Sequence, residues 1–174
     1  MNGYIFRTLS IIILMFLAGT KTMAQAFKFL IPDAAIVQHA GSVGYLSVGA
    51  GYSLFKNNRG SLDATYGFVP RSKGGELHIA ALKFAYRPFE IKVKDWGRIY
   101  PLNPGFFISY TFDKALSFNF NTVQYEKGYY YWSEAARPHL SFSNEIELNA
   151  RKIIGNTKIK MLSLYTEFNT NDYY

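Results

Sequence analysis

A chain of 174 residues with 19 Lys and Arg against 12 Asp and Glu has room for one domain and little more. It has no cysteine, which excludes disulfide staples and thiolate chemistry, and its charge excess is too thin for the dense basic surface of a nucleic-acid binder. Aromatic residues are the outlier: 15 Phe, 14 Tyr and 2 Trp suit the headgroup level of a membrane, or the core of an aromatic-rich soluble β-sandwich.

Residues 1–24 read as a secretory signal peptide. Arg7 supplies the positive start, Leu9 to Ala18 the short apolar run, and Thr22-Met23-Ala24 the small residues before a cleavage point at Gln25. That run is far short of the roughly 20 residues that cross a bilayer as a helix. Cleavage leaves residues 25–174 as one domain, and loss of Arg7 and Lys21 from the 19 basic residues leaves 17 against 12 acidic ones. No other stretch reads as a membrane helix, so any crossing of a membrane falls to strands.

Residues 25–42 are the least patterned part of the mature chain, either a lead-in or an irregular first strand. From Gly44 to Phe68 the chain then alternates with period two. Leu46, Val48, Ala50, Tyr52 and Leu54 share one face, and Tyr45, Ser47, Gly49, Gly51 and Ser53 share the other. Past the turn Asn57-Asn58-Arg59-Gly60 the rhythm resumes, with Leu62, Ala64, Tyr66 and Phe68 opposed to Ser61, Asp63, Thr65 and Gly67. One apolar face and one small, polar face behind an export signal is what a membrane-spanning β-hairpin needs. Further strand candidates follow at 76–86, 89–93, 105–112, 116–123, 127–133, 139–149 and 158–169, punctuated by Gly, Pro and Asn at 71–75, 101–104 and 155–156. The parity of 76–86 switches midway, which predicts a bulge there. The run 89–93 is the weakest candidate for a separate strand. The expected fold is therefore all-β: an antiparallel up-and-down transmembrane β-barrel of about eight strands, filled by its own side chains, with no wide pore.

Several segments carry a resemblance. Residues 38–44 (QHAGSVG), 66–70 (YGFVP), 103–105 (NPG) leading into 109–112 (SYTF), 127–139 (KGYYYWSEAARPH) and 167–172 (EFNTND) resemble a group of small outer-membrane β-barrel proteins of Bacteroidetes. The likeness covers nearly all of the mature chain, and the aromatic block at 128–132 is its most specific piece. It implies a barrel fold and an outer-membrane location after export to the periplasm, and it assigns no activity. Similar proteins continue past the Asn-Asp motif into another strand, so the resemblance leaves closure at the C-terminal side open.

The sharpest chemical candidate is the strand at 139–149. His139, Ser141, Ser143, Glu145, Glu147 and Asn149 share one face, with Leu140, Phe142, Ile146 and Leu148 on the reverse. A His and a Ser two residues apart, with a carboxylate to orient the ring, follow the logic of a hydrolytic triad, His139 and Ser141 being the pair and Glu145 or Glu147 the acid. The His-x-Ser pair is similar to that of the lipid A deacylase barrels of outer membranes. The plainer reading is a polar interior face whose hydroxyls and carboxylates pair across the barrel. Arg87, Lys92, Lys94 and Arg98 bracket a stretch containing Trp96 and are candidates for headgroup phosphates. Tyr129, Tyr131 and Trp132 are candidates for an interfacial girdle. His39 and His78 stand apart in sequence, and neither a metal nor a cofactor is expected.

Three functions follow. The leading expectation is an integral outer-membrane barrel with a structural or accessory envelope role, in contact with membrane lipids, lipopolysaccharide and an envelope protein partner. The second is an acyl hydrolase of lipid A or phospholipid acting through His139 and Ser141. The third is a secreted, soluble β-sandwich that binds a ligand through its aromatics.

Overall fold

The computed structural model describes residues 31–116 and 133–171. They form one antiparallel sheet of eight strands: β1 (Ala34–His39), β2 (Leu46–Leu54), β3 (Gly60–Val69), β4 (Leu77–Tyr86), β5 (Ile91–Val93), β6 (Gly97–Phe112), β7 (Ala136–Asn149) and β8 (Met161–Asn171). Helix among the described residues is limited to a 3-10 turn at Arg71–Lys73 and one α-turn, α1 (Ala150–Ile154).

Successive strands pair in the order β1-β2-β3-β4-β6-β7-β8, and the sheet curls into a half-barrel. β4 pairs with Gly105 to Phe112 of β6, and β5 continues along the same edge against Gly97 to Ile99. The two act as one interrupted pass, so the sheet makes seven passes and its edge strands β1 and β8 run in the same direction. No backbone ladder joins those edges. Side chains bridge them instead: the Tyr165 hydroxyl donates to Gln38 Oε1 at 2.7 Å, and Ser42 Oγ donates to Asn169 Oδ1 at 2.5 Å. Both partners advance by four residues between the two bonds, as parallel edges require. The ladders put Ala34 level with Asn171, by way of Gly51, Asp63, Lys83, Phe107 and His139. The Gln38–Tyr165 bond puts Ala34 near Met161 instead. That stagger of about ten residues is in keeping with the strand tilt of roughly 35–45° found in small barrels.

The two faces of the sheet are inverted relative to a soluble protein. Side chains on the convex side are apolar and exposed, including Val48, Tyr66, Phe68, Leu82, Phe106, Ile108, Leu140, Phe142, Leu164 and Phe168. The concave side buries Ser47, Ser61, Thr65, Lys83, Asn103, Ser109, His139 and Ser141. Its apolar core is small: Val43, Ala81 and Phe107. Glycine makes that interior possible. A Cβ on Gly67 would run into the Val43 carbonyl, and one on Gly49 would run into Ala64 and Thr65. The period-two assignments for β2, β3 and β7 match the observed faces.

Three expectations are corrected, and the doubt over 89–93 as a separate strand is met by its short length. β3 and β4 pair without interruption from Gly60–Tyr86 to Val69–Leu77, so 76–86 has no bulge. The parity switch arises because Ile79, the register partner of Gly67, points inward and is buried on the concave side. Pro101 to Pro104 is not a turn but lies inside the 16-residue β6, where the register against β7 shifts between Tyr100 and Asn103. This is where the bulge falls, as expected for prolines that cannot donate to a ladder. The stretch 89–93 shrinks to a three-residue strand. Finally, one curled sheet replaces the two stacked sheets that a β-sandwich needs. Nearly all of the strand candidates at 116–123 and 127–133, together with Tyr129, Tyr131 and Trp132, lies outside the described residues.

Candidate functional site

The concave face carries two groups of polar side chains. One gathers around His139 on β7, whose register partner on β6 is Phe107. The Phe107 and His139 rings stack with centroids 4.2 Å apart, and His139 Nε2 is 2.8 Å from Ser109 Oγ. Ser109 sits two residues along β6 from Phe107 and therefore points to the same face, diagonal to the imidazole. Ser141 is also buried, opposite Gly105, where a Cβ would stand 2.9 Å from its hydroxyl.

The second group is a train of charges running from the middle of the sheet to its β4–β6 end. Lys83 Nζ meets Glu167 Oε2 at 2.8 Å, with both side chains more than nine-tenths buried. Lys83 also lies over the Tyr165 ring and is the register partner of Asp63. Farther along, Arg87 Nε and Nη2 both reach Glu145 Oε2 at 2.9 Å, and the guanidinium lies over the Tyr100 ring. The Tyr100 hydroxyl donates to Glu147 Oε2 at 3.3 Å, and Arg98 lies 3.8 Å from Glu147 and 3.7 Å from Glu90. The train links β3, β4, β6, β7 and β8 across the concave side. Paired charges of this kind hold a polar interior shut, since each buried ion keeps a partner of opposite sign.

The four residues proposed for hydrolysis do not converge. Glu145 and Glu147 lie six and eight residues along β7 from His139, about 20 Å and 26 Å at the strand rise, beyond hydrogen-bond reach. They are engaged by Arg87, Tyr100 and Arg98. The hydroxyl that meets His139 Nε2 is that of Ser109 on the neighbouring strand, and the ring is covered by Phe107. We expect Ser109→Ala to behave as a packing defect, costing about 1–3 kcal/mol by removing the partner of a buried imidazole nitrogen. Equilibrium unfolding in urea, followed by tryptophan fluorescence, measures it; a stability unchanged within error would show that the bond carries no weight.

Of the proposed headgroup contacts, Arg87 is committed to the concave side and Arg98 to its mouth, while Lys92, Lys94 and Trp96 are exposed on the β5–β6 hairpin. His78, apart in sequence from other chemistry, faces outward within 2.9 Å of the Tyr66 hydroxyl. No group of three or more metal-ligating side chains forms among the described residues. An open cavity of about 280 Å³ lies at the opposite end of the sheet, lined by Ser42, Tyr45, Val69, Lys73 and Ile79 among others.

Sequence reading missed Ser109, Lys83 and Glu167 as interacting groups. Their inward parity was available for Ser109 and Glu167, but their partners depend on cross-strand register and on curl, which parity does not encode. Comparison with protein-family models, with curated proteins and with solved structures gives no match to the chain.

Proposed function

We propose that this protein is an integral outer-membrane β-barrel with a structural or accessory role in the cell envelope, its interior filled by side chains. The observation that carries the reading is the inversion of the sheet. Leu82, Ile108 and Leu164 are 54%, 54% and 71% exposed on the convex face, while Lys83, Ser109 and His139 are buried on the other. Water on the convex side would leave a contiguous apolar surface exposed over six strands, which soluble monomers avoid. Hydrocarbon solvates it without cost, as on the outside of a membrane barrel. The export leader read at residues 1–24 and the weak basic excess agree with an envelope location.

Fractionation of cells expressing the full chain tests it. The protein is expected in the outer-membrane fraction, extracted by detergent and not by high salt or carbonate, and to migrate faster on gels when unheated. Recovery as a water-soluble monomer in the periplasm or medium would overturn the reading.

A further inference from the structure

At the β4–β6 end of the sheet two tips are fastened together. The Asn149 amide donates to the Trp96 carbonyl at 2.7 Å, and the Ala150 amide donates to the Lys160 carbonyl at 3.1 Å, closing the β7–β8 connection around α1. Ala150 is fully buried, and Asn149 caps α1 by accepting from the Arg151 amide. Lys152 lies 3.9 Å from Asp95 and over the Trp96 ring. The β5–β6 hairpin and the α1 connection thus form a single knuckle.

Its composition is unlike the rest of the molecule. Residues 91–98 and 150–160 hold Lys92, Lys94, Arg98, Arg151, Lys152, Lys158 and Lys160 against the single acid Asp95. Between these cations stand exposed Trp96, Ile153, Ile154 and Ile159. Exposed isoleucines beside lysines are costly in open water, yet the pair is suited to a bilayer surface, where the apolar groups enter the acyl boundary and the ammonium groups meet phosphates. At the other end of the sheet, the described turn residues Arg71, Lys73 and Lys114 are offset by Glu76 and Asp113, giving no comparable excess.

We propose that the knuckle is an interfacial anchor for a leaflet rich in anionic phospholipid, with Lys92, Lys94, Lys152 and Lys158 binding phosphates and Trp96 with the isoleucines seated at the acyl boundary. This deepens the membrane-barrel reading and rests on it. Charge complementarity commits the occupant: with Arg98 held by Glu90 and Glu147 and Lys152 by Asp95, the segments still carry Lys92, Lys94, Arg151, Lys158 and Lys160 with no second acid of their own, an excess that a protein partner would have to match at fixed positions and that an anionic lipid surface meets with phosphates at any register.

The test is the folding rate of the full-length processed chain into phosphatidylcholine vesicles with and without 30% phosphatidylglycerol, read from the gel-mobility shift. Wild type is expected to fold about tenfold faster into the anionic vesicles at low salt, with the advantage shrinking as ionic strength rises. Lys92→Gln/Lys94→Gln/Lys152→Gln/Lys158→Gln is expected to lose most of that advantage and to fold into pure phosphatidylcholine at the wild-type rate. Arg71→Gln/Lys73→Gln, at the other end, is expected to keep it. A quadruple variant with full anionic preference, or a wild type with none, overturns the anchor. A chain that folds into neither vesicle overturns the barrel reading itself. In a Trp132→Phe background, quenching of Trp96 by brominated lipid is expected at shallow depth, and no quenching would count against the anchor.

Discussion

Leu82→Lys is expected to destabilise the folded protein in a lipid bilayer by about 2–4 kcal/mol, the cost of a lysine on the lipid face of a barrel near mid-membrane. Leu82 stands in the middle of β4, pairs with Ala64 on one side and Ile108 on the other, and is half exposed on the convex face. Nothing among the described residues covers it. If water bathed that face, the same change would fall within about 0.5 kcal/mol, as surface substitutions away from special features do. The two solvents therefore predict effects several-fold apart at one residue. Urea unfolding from vesicles, comparing Leu82→Lys with Leu82→Ala, reads the difference. A lysine variant as stable as the alanine variant would exclude hydrocarbon as the neighbour.

The second large effect concerns the ion pair on the opposite face. Lys83→Met leaves the Glu167 carboxylate, 3% exposed, without the ammonium that neutralises it at 2.8 Å. Breaking a buried pair from one side costs about 3–5 kcal/mol, because the remaining charge is neither solvated nor paired. The double variant Lys83→Met/Glu167→Leu is expected to recover much of that loss, since matched apolar replacement of a buried pair is often neutral or better. Asp63, the register neighbour of Lys83, still loses a nearby cation, so recovery should be incomplete. Unfolding midpoints of the two singles and the double form a mutant cycle that isolates the coupling. Additive effects would mean that the pair contributes nothing as a pair.

Both predictions draw on the same inversion, and its two halves differ in how far they could be read in advance. The faces of β2, β3 and β6 follow from alternation alone: Leu46, Val48 and Ile108 fall on one parity, Ser47, Thr65 and Ser109 on the other, and successive Cβ atoms of a strand point to opposite sides whatever the strand pairs with. The same rule misread 76–86. It expected a bulge that would turn Ile79 outward with Leu82 and Phe84, while the uninterrupted ladder buries Ile79 on the concave side. Pro101 to Pro104 resembled a turn because Pro and Asn usually end strands, but a bulge against β7 absorbs them.

The candidate site was legible only as a face. His139 and Ser141 do share the concave side, yet the hydroxyl that meets the imidazole comes from Ser109, and the carboxylates proposed for it belong to Arg87, Tyr100 and Arg98. Strand rise separates residues on one strand faster than the ladder separates residues on two, so neighbours along β7 are poorer partners than neighbours across it.

What the amino-acid order determined by itself is local: an all-β chain, two chemically distinct faces, and the position of most turns, each set by side-chain period and by the backbone freedom of Gly, Asn and Pro. Tertiary structure alone decided that β4 and β5 make one pass, that β1 and β8 meet as parallel edges joined by side chains, and that Lys83 finds Glu167 across 84 residues of chain. Those outcomes depend on register and curl, which are summed over every ladder in the sheet, and no single segment contains them.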